Sequence, residues 1–593
     1  MNEDSTQDKA QKSGRDSQKQ DLQKASVFSL LKEYKLLIVA SLLFSVGANG
    51  LNLVLPQIIR KGIDAYIANT LVLQNLVYQF AGLSIIILIL TYGESLMQSY
   101  VAERVARDLR RKLSTKISEE PYTFIEKETP SKLLTNLTSD VDAIKTFVSQ
   151  ASVQIVMSVF IVVAVASLLL MINWKLGLAV LVILPIIGVA FFFAFSKMGA
   201  LFGRSQGIID KLNGVISGSV LGAALIRVVN SSKTEMNKFS VANTEAKDTG
   251  MQLLKLFSML IPVVTFTSSL ASVIILTLGG YYVIDGAMTL GDFSAFLTYI
   301  ILLIFPIFII GFMSSVIGRS QASYKRLQTV LFADTQKDTG TVVKDIDGKI
   351  EAKNVSLTLG GKNILKDVSF TIQPRTRTAI IGPTAAGKTQ LMYTLVGLVA
   401  PQSGHISFDD VSLSDYEKTS LYSQVGFVFQ DSVMFNLSLR ENIAFSSDVT
   451  DESLSKAIKT AELDDFIQTL PQGLDTLVSE RGTTLSGGQK QRVMLARALA
   501  ISPKILLLDD FTARVDGATE KKIIANIAQN YPDLTLVSVT QKINSVESYD
   551  KIILLMEGEL LDSGTHKELL EKSPEYVQIF ESQKSTINYE ARE

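Results

Sequence analysis

Hydrophobic positions along this chain follow two regimes. In the first half apolar residues run on for about 20 positions at a time. In the second they come in short β-branched runs that alternate with helical ones. Six stretches, 37–59, 76–98, 151–173, 176–195, 257–282 and 294–316, are each long enough to cross a bilayer as helix. Residues 26–34, ahead of the first, read as a short amphipathic segment along the membrane surface. This predicts an all-α membrane domain of six helices over 26–332.

The charges between the stretches set their orientation. Arg104, Arg107, Arg110, Arg111, Lys112 and Lys116 follow the second stretch, and Lys197, Arg204, Lys211, Arg227, Lys233 and Lys238 follow the fourth. The connection between the fifth and sixth, around Asp285 and Asp292, has neither Lys nor Arg. Basic loops stay on the cytoplasmic side, so both termini are expected in the cytoplasm of a multi-pass protein of the cell membrane. Both basic connections are long and rich in helix formers, which predicts cytoplasmic extensions of the membrane helices.

From about 332 to 345 the apolar runs give way to an Asp, Thr, Lys and Gly stretch, read as a linker over 333–347. Residues 348–582 then read as an α/β domain, with buried parallel strands at 378–381 and 505–508. Residues 1–25 are polar with no apolar core, so they read as a disordered cytoplasmic tail rather than a signal peptide. Residues 583–593 read as a short C-terminal tail.

Composition removes several function classes. The 593 residues are 47% hydrophobic and 19% charged, and the mean hydropathy of +0.28 fits a large membrane part. A net charge of −1 offers no basic field to nucleic acid. The absence of cysteine excludes disulfides, thiolate metal sites and cysteine nucleophiles, and His405 and His566 are too few for a histidine-rich metal site.

Three motifs carry chemistry. Gly382-Pro383-Thr384-Ala385-Ala386-Gly387-Lys388-Thr389 fits a phosphate loop placed between a strand and a helix. Such a loop aims backbone N–H groups and a positive helix end at phosphate oxygens; Lys388 would reach the β- and γ-phosphates and Thr389 would ligate Mg²⁺. Ile505 to Leu508, followed by Asp509 and Asp510, is a buried strand ending in two carboxylates, one for Mg²⁺ and one for an attacking water. Leu485-Ser486-Gly487-Gly488-Gln489 can present a hydroxyl and backbone N–H groups to a γ-phosphate at a helix N-terminus.

Together these motifs make the chain resemble an ATP-binding cassette exporter half-transporter over about residues 26–582. The run from Leu485 to Gln489 resembles that family's signature, and Gln430 stands where the family's Q-loop glutamine contacts Mg²⁺ and couples to the membrane domain. Glu480-Arg481-Gly482 resembles the adjoining coupling segment, and Thr289-Leu290-Gly291-Asp292 before a span with Pro306 is also exporter-like. The resemblance implies ATP and Mg²⁺ as cofactors. It also implies a head-to-tail pair of cassettes, in which Ser486, Gly487, Gly488 and Gln489 meet ATP held by the partner.

Departures from the family pattern sharpen the expectation. Asp510 stands where the family has glutamate, Gln541 where it has a switch histidine, Leu359 where an aromatic stacks on adenine, and Ala385 where glycine is usual. Ala513-Arg514-Val515-Asp516 replaces Ser-Ala-Leu-Asp. A carboxylate withdrawn by about 1 Å can cost about 10²-fold in rate. The expected result is a site that binds ATP and hydrolyses it slowly, in a chain that donates an intact signature. That pattern resembles the degenerate-site subunit of heterodimeric bacterial multidrug exporters. It implies a second half-transporter with Glu and His intact and an altered signature. The alternatives are a homodimeric lipid flippase or peptide exporter of the same fold, and a regulatory subunit without turnover of its own.

Within the spans Glu94 is the one clearly intramembrane acidic or basic residue, which points to a cavity or a partner. Asn49, Asn52 and Gln57 of the first span are candidates to line a path for a small amphipathic substrate. Phe191, Phe192 and Phe193 read as lipid-facing or packing surface. None of these residues chooses a substrate.

Overall fold

The computed structural model describes residues 27–333, 340–479 and 484–590. The N-terminal tail at 1–25, residues 334–339 of the linker and Glu480-Arg481-Gly482 lie outside the described residues. The chain divides into two compact units, one of residues 27–119 and 128–333, the other of residues 120–127 and 340 onward.

Among the described residues the first unit holds six helices long and apolar enough to cross a membrane: Val27–Ile67, Leu73–Glu119, Pro130–Ile172, Trp174–Leu221, Ser232–Ile284 and Leu290–Leu331. Each contains one of the six apolar stretches, so the chain is a multi-pass membrane protein. Several far exceed the bilayer. The 47 residues of Leu73–Glu119 rise about 70 Å at 1.5 Å each, against a hydrocarbon core of about 30 Å. The excess is the extension that the basic connections predict. Their charges are paired across it: Arg110 with Asp142 at 2.8 Å, Lys112 with Glu33 at 3.0 Å and Lys211 with Glu245 at 2.9 Å.

Residues 27–34 form a short 3₁₀ helix, after which the first span is broken into Lys35–Asn52 and Leu55–Ile67. Pro56 sits in the first turn of the second piece and has no N–H to offer the carbonyl four residues back. The break is held from across the unit, where the wholly buried Tyr299 hydroxyl donates to the Leu53 carbonyl at 2.8 Å.

The far end of that helix is stitched to the start of the last one. Thr289 caps Leu290–Leu331 in a reciprocal box with Asp292. Arg60 pairs with Asp292 at 2.6 Å. The Asp64 carboxylate accepts from the Thr289 hydroxyl at 3.0 Å and the Gly291 N–H at 2.9 Å. A Cβ on Gly291 would stand 2.3 Å from the Arg60 carbonyl oxygen, which explains the glycine.

Among the described residues the second unit carries ten strands: β1 (Ile350–Leu359), β2 (Lys362–Ile372), β3 (Arg377–Ile381), β4 (Ser403–Phe408), β5 (Val411–Ser412), β6 (Val425–Val428), β7 (Ile505–Asp509), β8 (Thr535–Val539), β9 (Lys551–Met556) and β10 (Glu559–Gly564). An antiparallel sheet runs β2-β1-β4-β5, and a six-stranded sheet runs β10-β9-β3-β8-β7-β6, parallel except for β10. The strand residues expected at 378–381 and 505–508 lie in β3 and β7, whose apolar side chains are buried because both faces of a parallel sheet are covered. One core packs the Gly487–Ala500 helix against β7, and the other lies between the two sheets.

Gly291→Ala is expected to destabilise the membrane unit by about 1–3 kcal/mol, the usual result of forcing a methyl into filled space. Thermal unfolding of the detergent-purified protein checks this through a lowered midpoint, while Gly188→Ala, where an added Cβ meets nothing within 4 Å, leaves it in place.

Candidate functional site

Sheet order assembles the site. β3, β8, β7 and β6 are neighbours and run the same way, so their carboxyl ends share one edge. Ligands of such sheets bind in the crevice outside those ends. On this edge β3 delivers the 382–389 loop, β8 delivers Thr540 and Gln541, β7 ends in Asp509 and Asp510, and β6 is followed by Phe429 and Gln430.

The loop has the backbone that phosphate binding needs. Gly382 has φ +155° and Gly387 has φ +94°. A Cβ on the first would stand 2.0 Å from the Leu555 carbonyl oxygen, and on the second 2.8 Å from that of Ile364. Gly387 then opens the Lys388–Leu395 helix. Lys388 is buried, and its amine donates to the Gly382 and Pro383 carbonyls at 2.9 and 2.8 Å. Burial pushes that amine down in pKa, against the pull of Asp510 and Asp509. Ala385, where glycine is usual, also takes a left-handed backbone with φ +67°.

The Thr389 hydroxyl donates to Asp509 Oδ1 at 3.2 Å, joining the loop to β7. Asp509 has no exposed surface, and its Oδ2 is a buried atom without a hydrogen-bond partner. Burial pushes the Asp509 carboxyl up to about 6, helped by the negative charge of Asp510. A buried carboxylate with one orphaned oxygen beside a hydroxyl suits a hard divalent cation that completes its shell with phosphate oxygens and water, so these residues fit Mg²⁺. Among the described residues no group of three or more His, Cys, Asp or Glu could hold a metal; a cation that keeps phosphate and water ligands needs no such cage.

Asp510 has a left-handed backbone, φ +49°, and its N–H donates to the Val539 carbonyl at 3.0 Å. Burial pushes its carboxyl above the usual range, while Lys388, Lys542 and a hydrogen bond from Gln430 pull it down. Gln430 is therefore brought to Asp510, and its carbonyl accepts from buried Gln491 of the signature helix at 3.2 Å. Gln541 is exposed, with its backbone carbonyl held at 2.6 Å by Gln583 of the Pro574–Glu590 helix. Leu359 ends β1 and packs against the second core.

Ser486 caps the Gly487–Ala500 helix in a reciprocal box with Gln489: its hydroxyl accepts from Gln489 N–H at 3.3 Å, and Gln489 Oε1 accepts from Ser486 N–H at 2.8 Å. A Cβ on Gly488 would stand 2.8 Å from the Arg514 carbonyl oxygen, and one on Gly487 3.2 Å from Arg514 Cδ. Arg514, one of the departures, thus lies against the signature glycines.

Four contributors escaped the sequence reading. Lys542, beside Asp510, donates to the Thr512 carbonyl at 3.1 Å. Gln491 and Gln583 buttress loops from other helices. Tyr122, in the short Tyr122–Glu128 helix, packs edge-on against Tyr393 at 5.6 Å between centroids, and Tyr393 in turn meets Phe427 and Phe429. The basic residue after Gln541 was the one available signal; the others are long-range contacts with no local pattern.

The transmembrane-region model of the ABC transporter families matches residues 38–307, and the ABC transporter model matches residues 365–513. The chain is similar to the uncharacterized ABC transporter ATP-binding protein YfiB of Bacillus subtilis (strain 168), 32% identical over 95% of this chain and 98% of that one. It is also similar to the probable multidrug resistance ABC transporter ATP-binding/permease protein YheI of the same organism, 29% identical over 94% and 98%. Among solved structures it shares its fold with a bacterial Atm1-family ABC exporter with ATP bound, at TM-score 0.75 and 23% identity, covering 94% of this chain and 99% of that one.

An alanine held in the left-handed region costs about 1 kcal/mol over glycine. Ala385→Gly is expected to raise the thermal midpoint of the nucleotide unit in detergent by that stabilisation. Gly387→Ala, which meets a carbonyl, is expected to weaken ATP binding about tenfold or more through strain of the loop. Titration with a fluorescent ATP analogue measures the second effect.

Proposed function

The chain belongs to the ABC transporter family, and we propose that it is one half of an ATP-driven exporter of the cytoplasmic membrane, working as a heterodimer. Its own ATP site binds nucleotide and hydrolyses it slowly. Lys388 and the loop N–H groups hold the phosphates, and Thr389, Asp509 and Gln430 hold Mg²⁺, which when bound neutralises phosphate charge. Ser486, Gly487, Gly488 and Gln489 complete the partner's site. Both termini and the nucleotide unit are cytoplasmic, consistent with the basic connections. The substrates are small amphipathic molecules, a reading supported by the name of YheI.

The observation that carries this reading is an imbalance within one chain. The hydrolytic position is an aspartate already engaged by Gln430, and the switch position is an exposed glutamine. The signature is fully formed by its capping box. Glutamine can hydrogen-bond a phosphate but cannot alternate its charge as imidazole does. A sound signature opposite a weak own site is useful only if the chain across the interface has a sound hydrolytic site.

ATP-driven closure of the paired cassettes would switch the membrane cavity from inward- to outward-facing.

Intact mass of the tagged chain purified from native membranes is expected to show a second half-transporter of similar size. A dimer of this chain alone would make Asp510 and Gln541 responsible for all hydrolysis and remove the two-site reading. Asp510→Glu combined with Gln541→His is expected to raise turnover at this chain's site by up to about 10²-fold. Unchanged ATP turnover would count against a degenerate site. Ser486→Ala is expected to lower the ATPase rate of the complex; a full rate would mean that this signature is idle.

A further inference from the structure

The membrane unit holds an open cavity of about 800 Å³, within the range of pockets that bury drug-sized ligands. Its wall carries polar and apolar groups side by side. Ser45, Asn49 and Asn52 come from the first helix, Glu94 from the second, Gln154 from the third and Thr298 from the last. The same helices add apolar surface, including Met157 beside Gln154 and Ile301 and Phe305 beside Thr298, the last two well exposed. No Lys, Arg or His lines the cavity among the described residues.

Glu94 supplies the one formal charge in that wall. Its Oε1 accepts from the Ser45 hydroxyl at 2.6 Å and from the Gln98 amide at 2.9 Å, which fixes the carboxyl against the wall. Oε2 takes neither bond. Two prolines also interrupt the helical hydrogen bonding of the lining helices. Pro56 and Pro306 both line the cavity, and neither has an N–H for the carbonyl four residues back. Those carbonyls belong to Asn52 and Leu302, themselves lining residues. The Glu94 carboxylate thus stands in a cavity wall with no basic group among the described residues to balance it. Phe80 and Phe305 add ring faces, which attract cations.

The geometry points to Glu94 as the specificity residue of a substrate site that takes lipophilic monocations over neutral amphipaths. This deepens the export reading given above and rests on it. The occupant has an apolar body that packs on residues such as Ile301 and Phe305 and one positive centre that meets Glu94. A neutral molecule of the same shape gains the apolar contacts and forgoes the charge pair.

Equilibrium binding to the detergent-purified complex, without nucleotide, tests the assignment. The probes are tetraphenylphosphonium and the neutral triphenylphosphine oxide. Glu94→Gln keeps the shape of the group and an oxygen for Ser45 and Gln98. It is expected to weaken tetraphenylphosphonium binding about tenfold or more and to change triphenylphosphine oxide binding by less than about threefold. Glu94→Asp is expected to retain the preference for the cation. Equal loss of both probes would make Glu94 a packing residue, and no loss of either would remove it from the site. Either result overturns the assignment. ATP-driven uptake into proteoliposomes separates this from the export reading. Charge-selective binding without uptake of either probe leaves the cation site standing and removes export. Uptake with charge-blind binding removes the cation site alone.

Discussion

The hydrogen bond from Thr389 to Asp509 is the contact on which the nucleotide unit turns. It links the first residues after the phosphate loop to the end of a strand two places away in the sheet, with β8 between. Asp509 has no exposed surface and sits at the end of four buried apolar residues. Burying a carboxylate with one oxygen unpaired is unfavourable, and sequence offers no local remedy. The same burial that pushes its carboxyl up to about 6 makes it a strong site for a cation arriving with phosphates. The edge of the sheet is thus built to be completed by a ligand. Lys388 illustrates the other half of this logic, since its buried amine is satisfied by two carbonyls of its own loop.

A parallel constraint shapes the membrane unit, where unpaired polar groups are costly and survive next to protein or water. The broken first helix exposes backbone at Leu53, and Tyr299 crosses the unit to satisfy it. Glu94 is satisfied in part by Ser45 and Gln98. Asn52, Gln154 and Thr298 line the cavity beside it. At the opposite end of that helix, Arg60 and Asp64 clamp the capped start of the last helix. The cavity wall is therefore held at both ends of one broken span.

Much of this was readable because the signals are local. Six apolar stretches, the glycine-bounded loop and the strand ending in Asp509 and Asp510 each follow from residues near one another, and each appears where it is expected. Thr289-Leu290-Gly291-Asp292 was legible as a motif, but its reason, the clash a Cβ would make with Arg60, was not. The same holds for contacts that span the chain. Gln583 reaches the Gln541 backbone over 42 positions and Gln491 reaches Gln430 over 61, with ordinary helical glutamines as the only trace. Tyr122 lies between two membrane helices in sequence, yet it packs with the nucleotide unit, which hydropathy has no means to reveal. Periodicity reports what faces a core and is silent on which distant element that core belongs to.

The departures from the family pattern, read as one group in sequence, separate in space. Ala385, Asp510 and Gln541 stand on the phosphate-loop edge, whereas Arg514 lies against Gly487 and Gly488. The first N–H groups of the Gly487–Ala500 helix have no partner within the helix beyond the Ser486 cap, and its dipole is positive at that end. An exposed guanidinium beside them adds to the same sign of field. In a head-to-tail pair this end meets phosphates held by the other chain, so Arg514 would strengthen the site that it donates to. In the proposed heterodimer the substitutions would act in opposite directions on two sites. Those on the loop edge would slow the chain's own turnover, and the one behind the signature would favour anion capture in trans. Such a division gives a consistent account of a chain that binds ATP on one face and assists its hydrolysis on the other.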